Sequence, residues 1–135
     1  MCGITGGWWQ KPSKQLDQGL KGALAAMKLR GPNDQGLDVH TTNNGVVALG
    51  HTRLSIIDLS FGGHQPMNSS DGRYGLIFNG EIYNFRELRK QLLVIGWIFK
   101  SNSDSEVLLI AWQQWGRNCL SRLVGMFSFV LKIVA

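Results

Sequence analysis

The cysteine at the second position is the residue of this sequence whose type and place most strongly suggest catalytic chemistry. Loss of the initiator Met1 would leave Cys2 with a thiol and a free α-amine on one residue. An α-amine has an ordinary pKa near ~8, so part of it is neutral at neutral pH and can accept the thiol proton. Cys2 could then act as a nucleophile without a histidine partner. The alternative is a small, buried apolar side chain.

A second candidate is the dipeptide Asn79-Gly80, which follows the apolar run Tyr74-Gly75-Leu76-Ile77-Phe78. A side-chain amide next to an unobstructed backbone N–H is the donor pair that an oxyanion hole requires. Asn-Gly is also a common turn dipeptide. Taken alone, these two residues favour a turn at the end of a strand.

Two charged residues lie in segments where the charge requires a partner of opposite charge or a hydrogen-bonding group. Arg53 interrupts the otherwise apolar run at 49–58, so its guanidinium either pairs with an internal carboxylate or receives the carboxylate of a ligand. Asp104 lies near the start of a predicted helix, where it either caps the helix or binds a cation such as a substrate ammonium. Capping is the simpler of these two roles.

Composition limits the class of protein. A chain of 135 residues with 44% hydrophobic and 17% charged residues predicts one globular domain with a packed core. The longest uncharged runs, 91–99 and 123–131, are far shorter than the ~18 apolar residues of a membrane span. No secretory signal is visible, so we expect a cytoplasmic location. The net charge of +5 is spread along the chain, which argues against nucleic-acid binding.

Cysteine usage indicates neither a metal site nor a disulfide framework. The chain has two cysteines, Cys2 and Cys119, with no CxxC pair and no histidine-rich spacing beside them. We expect Cys119 to be a structural thiol.

The elements that must position these residues follow from local patterns. The opening run 2–9 predicts a buried strand, and Ser13 predicts the N-cap of a helix that stops at Arg30-Gly31-Pro32. Two β-branched runs between 36 and 59 flank Asn43-Asn44-Gly45 and predict a hairpin. Further strands are expected at 74–78 and, as a buried strand, at 125–131.

Two more helices are predicted by capping boxes. Asn84 and Ser103 are each followed three residues later by a glutamate. The apolar stripes of these helices are Leu88, Leu92 and Ile95 in the first, and Val107, Leu108, Ala111, Trp112 and Trp115 in the second. Strands with hairpin-type links predict a mostly antiparallel α+β sandwich rather than a doubly wound sheet.

The order of seven short motifs resembles the glutaminase half of glutamine-hydrolysing asparagine synthetase over nearly the whole chain. Any one motif would be weak, but seven in the right order are specific. Leu54-Ser55-Ile56-Ile57 favours this branch over amidotransferases of the glucosamine-phosphate and purine-pathway kinds. The motifs are Met1-Cys2-Gly3-Ile4, Arg30-Gly31-Pro32-Asn33-Asp34, the run 50–58, Gln65-Pro66-Met67, the run 78–84, Ser103-Asp104-Ser105-Glu106-Val107 and Gly125-Met126-Phe127.

The resemblance implies one glutamine amidotransferase domain of type 2 over residues 1–135, in partial form and without its synthetase domain. The implied fold is the four-layer αββα sandwich of N-terminal-nucleophile hydrolases, with two antiparallel sheets between helical layers. Cys2 would attack the side-chain amide of glutamine, and Asn79 and Gly80 would form the oxyanion hole. The implied substrate-binding residues are Arg53 for the α-carboxylate, Asp104 with Glu81 for the α-ammonium, and Leu54 and Ile56.

The implied activity is hydrolysis of glutamine to glutamate and ammonia through a Cys2 thioester, with the ammonia used in an asparagine synthetase-type amidation. The expected partner is a synthetase domain or subunit. ATP and Mg would belong there, because this chain has no nucleotide-binding loop, and we expect no cofactor or metal in the chain itself. We expect neither a nucleic-acid nor a membrane partner.

Two alternatives stay open. The chain could be a non-catalytic truncated relative or interaction module that retains the motifs, or an N-terminal-nucleophile hydrolase of another amide. The apolar run 126–134 predicts an unpaired strand edge and self-association.

Overall fold

Two three-stranded antiparallel sheets face each other in the computed structural model, which describes residues 1–134. The first sheet has the strand order β1-β3-β2 and consists of β1 (Gly3–Trp9), β2 (Asp34–Thr42) and β3 (Gly45–Arg53). The second has the order β4-β5-β6 and consists of β4 (Met67–Asn68), β5 (Tyr74–Ile82) and β6 (Gly125–Ile133).

Helices cover the outer face of each sheet. Helix α1 (Lys14–Ala26) packs on β1 and β3, whereas α3 (Asp104–Trp115) packs on β5 and α2 (Phe85–Val94) packs on α3. Short 3-10 helices lie at Phe61–Gly63, before β4, and at Gly116–Arg122, after α3. The layers therefore run α, β, β, α, which confirms the predicted antiparallel α+β sandwich. None of the helices among residues 1–134 is long and apolar enough to span a membrane.

Local signals specify several element boundaries as predicted. The Ser13 hydroxyl accepts the Leu16 N–H at 3.2 Å and so caps α1. The hairpin between β2 and β3 turns at Asn43 and Asn44, and Thr42 pairs with Gly45 across it. Ser103 caps α3 by accepting the Glu106 N–H at 3.2 Å.

The main apolar core lies between the second sheet and helices α2 and α3. Leu76 and Ile82 of β5 pack there against Leu92 and Leu108 of the two helices. Cys119 is fully buried in the same cluster, and burial raises the pKa of its thiol. The thiol is therefore protonated and unreactive at neutral pH, as expected of a structural cysteine.

Two predicted strand boundaries and one predicted helix cap are wrong. Asn79 and Gly80 do not end a strand, because β5 continues to Ile82 and pairs with β6 as far as Gly125. Strand β3 ends at Arg53 rather than continuing toward residue 59. Asn84 does not cap α2, because its side chain instead donates to the Arg122 carbonyl at 2.8 Å and accepts the Val124 N–H at 2.9 Å.

The expected burial of three apolar segments is also only partly met. Ile95, predicted on the buried stripe of α2, is 52% exposed at the helix end. β1 and β6 are edge strands of their sheets, so Trp8 and Met126 are exposed rather than buried. Edge position depends on strand order, which the local sequence pattern does not reveal.

A buried histidine of β3 joins the two sheets. His51 is fully buried, and its Nε2 lies 3.0 Å from the Phe78 carbonyl of β5, which can only accept. Nδ1 has no hydrogen-bond partner among residues 1–134. Burial lowers the pKa of His51 to about 4, so the ring is neutral at pH 7. An ion pair between Lys132 of β6 and Asp38 of β2 is a second link between the sheets.

We predict that His51 makes the fold acid-sensitive. The pKa of His51 is about 4 in the folded chain and about 6.5 when unfolded, so the unfolded state binds the proton first as pH falls. The contribution of neutral His51 to the free energy of unfolding is fully present above pH 6.5. It is lost as the pH falls toward 4, and the loss is roughly 2–3 kcal/mol at pH 4.5. Thermal melts between pH 7.5 and 4.5 should show a smaller fall in Tm for His51→Gln than for the native chain. His40→Gln, on β2, is the control that should keep the native pH dependence, and an unchanged slope in His51→Gln would contradict the prediction.

Candidate active site

A cavity of about 540 Å³ opens where the start of β1, the end of β3 and the second half of β5 meet. This volume is within the roughly 300–1,000 Å³ typical of small-molecule sites. All eight predicted site residues line this one cavity: Cys2, Arg53, Leu54, Ile56, Asn79, Gly80, Glu81 and Asp104. The catalytic and binding roles given to them stay predictions.

Strand pairing explains why residues so far apart in sequence meet. The antiparallel pairing of β1 with β3 places Gly3 opposite Thr52, so Cys2 lies beside the end of β3, where Arg53 is. The facing strand β5 brings Asn79 to the same place.

The Cys2 sulfur is half-buried and receives a backbone donor. The Leu54 N–H points to Sγ at 3.4 Å, and the thiol lies 3.8 Å from the Leu54 carbonyl. The Cys2 carbonyl accepts Nε of Arg30 at 3.2 Å, which holds the backbone next to the sulfur. In the sequence, Arg30 is part of a helix stop and of one of the seven motifs, and neither pattern predicts this contact. Met1 is exposed at the rim of the cavity.

Arg53 is buried and its guanidinium is oriented by backbone carbonyls. Nη1 donates to the Ser60 carbonyl at 2.8 Å, and Nη2 donates to the Asp58 carbonyl. A Cβ on Gly63 would lie 2.0 Å from Nη2, so a side chain there would displace the guanidinium. Among residues 1–134 no carboxylate forms an ion pair with Arg53, and the ligand role of this residue stays a prediction.

Asn79 and Gly80 lie within β5 rather than in a turn. Gly80 has a φ of +153°, and a Cβ there would lie 2.3 Å from the Met126 carbonyl, so only glycine fits. Asn79 Oδ1 is buried and has no hydrogen-bond partner among the residues that the structure describes. A buried polar atom without a partner costs about 1–3 kcal/mol, and such atoms concentrate at functional sites.

Asp104 is a buried carboxylate, 6% exposed, at the first residue of α3. Its Oδ2 accepts the Ile82 N–H at 3.1 Å, whereas Ser103 is the residue that caps α3, so the capping interpretation of Asp104 is wrong. Burial raises the pKa of Asp104, and the charge of nearby Glu81 raises it further. No basic side chain within residues 1–134 pairs with it.

Gln65 also lines the cavity, although the sequence motif around it suggested no chemistry. Its Oε1 accepts the Phe78 N–H at 2.6 Å, and its Nε2 donates to Ser105 Oγ at 3.1 Å. Gln65 therefore ties β5 to α3 behind the cavity. Only its place in the motif Gln65-Pro66-Met67 could have pointed to it.

The chain matches a protein family over almost its whole length. The family model is described as a glutamine amidotransferase domain, and it covers residues 1–132. Asparagine synthetase [glutamine-hydrolyzing] 1 of Bacillus subtilis is 39% identical over 97% of this chain and 20% of that protein. A putative asparagine synthetase of Mycobacterium tuberculosis is 43% identical over 78% of this chain and 17% of that protein. The chain thus spans about a fifth of the length of these relatives.

Solved structures share the fold. Glutamine phosphoribosylpyrophosphate amidotransferase from B. subtilis superimposes with a TM-score of 0.72 at 24% identity, over 98% of this chain and 34% of that one. The predicted four-layer αββα sandwich is therefore confirmed, and so is the family indicated by the motifs. On the match over residues 1–132, the chain belongs to the glutamine amidotransferase domain family.

Proposed function

We propose that this chain hydrolyses glutamine to glutamate and ammonia through a thioester on Cys2, once Met1 is removed. We propose further that the ammonia serves an asparagine synthetase-type amidation in a synthetase domain or subunit, because the curated relatives carry that name. The observation that carries the proposal is the set of groups around one cavity: a cysteine, a buried arginine, an amide and a buried carboxylate that has no cationic partner among residues 1–134.

These groups complement the functional groups of glutamine. The Arg53 guanidinium matches the α-carboxylate, since its planar fork can form two parallel hydrogen bonds. Asp104 matches the α-ammonium, because a buried carboxylate without a cation gains most from binding one. Glu81 adds negative charge on the same side, and Leu54 and Ile56 border the space for the aliphatic part of the substrate.

The chemistry begins with the α-amine that loss of Met1 exposes on Cys2. The amine takes the thiol proton, Sγ attacks Cδ of glutamine, and negative charge collects on the amide oxygen. Asn79 and the Gly80 N–H are the donors for this oxyanion. The C–N bond then breaks as the ammonium of Cys2 returns its proton to the leaving nitrogen, and ammonia departs. Water finally cleaves the thioester, which releases glutamate and restores the thiol.

Removal of Met1 is predicted to switch the activity on. Acylation of the Cys2 nitrogen abolishes the base, so a chain that starts at Cys2 should release ammonia from glutamine at least about 10²-fold faster than one that retains Met1. Intact mass identifies the two forms. Cys2→Ser should lose labelling by an electrophilic diazoketone analogue of glutamine, whereas Cys119→Ala should keep it. Equal rates for both forms would refute the amine as base, and binding without turnover would favour the non-catalytic alternative.

Substitutions of Arg53 and Asn79 should separate binding from chemistry. Arg53→Lys keeps the charge but loses the fork, so we expect a higher KM for glutamine with little change in kcat. Asn79→Ala removes an oxyanion donor and should lower kcat by about 10²–10³-fold. Steady-state ammonia release measures both constants. An unchanged KM in Arg53→Lys would exclude Arg53 as the carboxylate-binding residue.

Asp104→Asn should weaken glutamine binding without destabilising the fold. The raised pKa means that folding disfavours the ionised carboxylate, so its cost in stability grows as pH rises through the acid range and persists at pH 7. Asparagine removes that cost and retains an oxygen for the Ile82 N–H. We expect about 10–100-fold weaker binding by calorimetry in a Cys2→Ala background, with an equal or higher Tm at pH 7. Normal glutamine affinity would show that Asp104 does not bind the ammonium.

A further inference from the structure

We propose that Asp58 is a positioning residue that sets the spacing between Arg53 and Asp104. These two residues, which would bind the two charged groups of the substrate, are called the substrate clamp below. The inference rests on the proposed function, because it assumes that the clamp holds the α-carboxylate and α-ammonium of one amino acid. Asp58 lies in the loop after β3 and lines the same cavity.

Asp58 is linked by hydrogen bonds to Arg53 and to the segment before α3, and the first link is to Arg53. The guanidinium of Arg53 donates to the carbonyls of Asp58 and Ser60. The Asp58 side chain closes the turn between them, because Oδ1 accepts the Ser60 N–H at 2.8 Å. Asp58 thereby holds in place both carbonyls that orient the guanidinium.

The second link runs from Asp58 to the segment before α3. Oδ2 of Asp58 accepts the Asn102 N–H at 2.8 Å, across 44 residues of sequence. The segment before α3 is itself anchored, since the buried carboxylate of Glu106 accepts the N–H groups of Lys100 at 2.8 Å and Ser101 at 2.7 Å. Glu106 lies in the first turn of α3, as does Asp104.

A simple turn would not use both carboxylate oxygens in this way. Oδ1 alone completes an Asx turn, whereas Oδ2 reaches a different part of the chain. Hydrogen bonds from Ser60 and Asn102 lower the pKa of Asp58, which keeps both oxygens as acceptors at neutral pH. Both charged groups of an α-amino acid sit on one carbon, so the clamp works only if the separation of its ends is held within a few tenths of an ångström.

Labelling of Cys2 by L and D forms of the diazoketone analogue of glutamine tests the proposal on the chain that starts at Cys2. Asp58→Asn keeps one acceptor but loses the second, and Asp58→Glu keeps the charge but moves the oxygens. We expect both variants to raise KI for the L form about tenfold, with kinact within about twofold. The preference for L over D should fall by the same factor. Iodoacetamide, which needs no clamp, should label Cys2 at the native rate.

Asp71→Asn is the matched control. Asp71 also closes a turn, accepting the Ser69 hydroxyl and the Arg73 N–H, and hydrogen bonds also lower its pKa. It lies in the turn between β4 and β5, so its loss should leave KI and the L-over-D preference unchanged. Thermal melts establish that each variant is folded during the assay.

The outcomes separate the possible failures. Native KI and native stereochemical preference in a folded Asp58→Asn or Asp58→Glu would overturn the proposal, and so would an equal slowing of iodoacetamide labelling, which indicates general disruption. If the native chain reacts with iodoacetamide but shows no preference for the L analogue, the proposed function itself fails, and this inference fails with it.

Discussion

The hydrogen bond from His51 to the Phe78 carbonyl sets the geometry on which the candidate site depends. It joins the two sheets at 3.0 Å, two residues before Arg53 on β3 and one residue before Asn79 on β5. Strands are stiff over so few residues, so this bond limits how far the two site residues can separate. Burial lowers the pKa of His51, so the ring that makes this bond is neutral at pH 7.

Two carboxylates at the cavity, Asp58 and Asp104, differ in how far the protein satisfies their charge. Asp58 accepts hydrogen bonds that lower its pKa, so its charge is satisfied within the protein. Asp104 has its pKa raised by burial and lacks a cation among residues 1–134. Burial of the Asp104 carboxylate and of the unpartnered Oδ1 of Asn79 lowers the free energy of unfolding, and folding alone does not explain why the chain keeps both groups. Binding of the α-ammonium in the proposed function would offset the cost at Asp104.

Sequence patterns predicted most elements of the fold because their causes are local. Ser13 and Ser103 cap their helices within three residues, and Asn43 and Asn44 turn the hairpin within four. The errors have distant causes. Asn79-Gly80 is a good turn locally, but pairing with β6 keeps it in a strand, and Asn84 bonds to the segment before β6 rather than to its own helix.

Ordered motifs and apolar periodicity predicted the family and the sandwich, because both are properties of the chain read in one direction, and the family resemblance implied the eight candidate residues. Folding brings these residues to one cavity, places the Leu54 N–H against Sγ of Cys2, and lets Gln65 connect β5 to α3, and none of these contacts is visible in the sequence. Only the tertiary structure shows that both oxygens of Asp58 are engaged. The physical reason is that hydrogen bonds and burial between residues tens of positions apart depend on strand register and sheet packing, which leave no trace in local spacing.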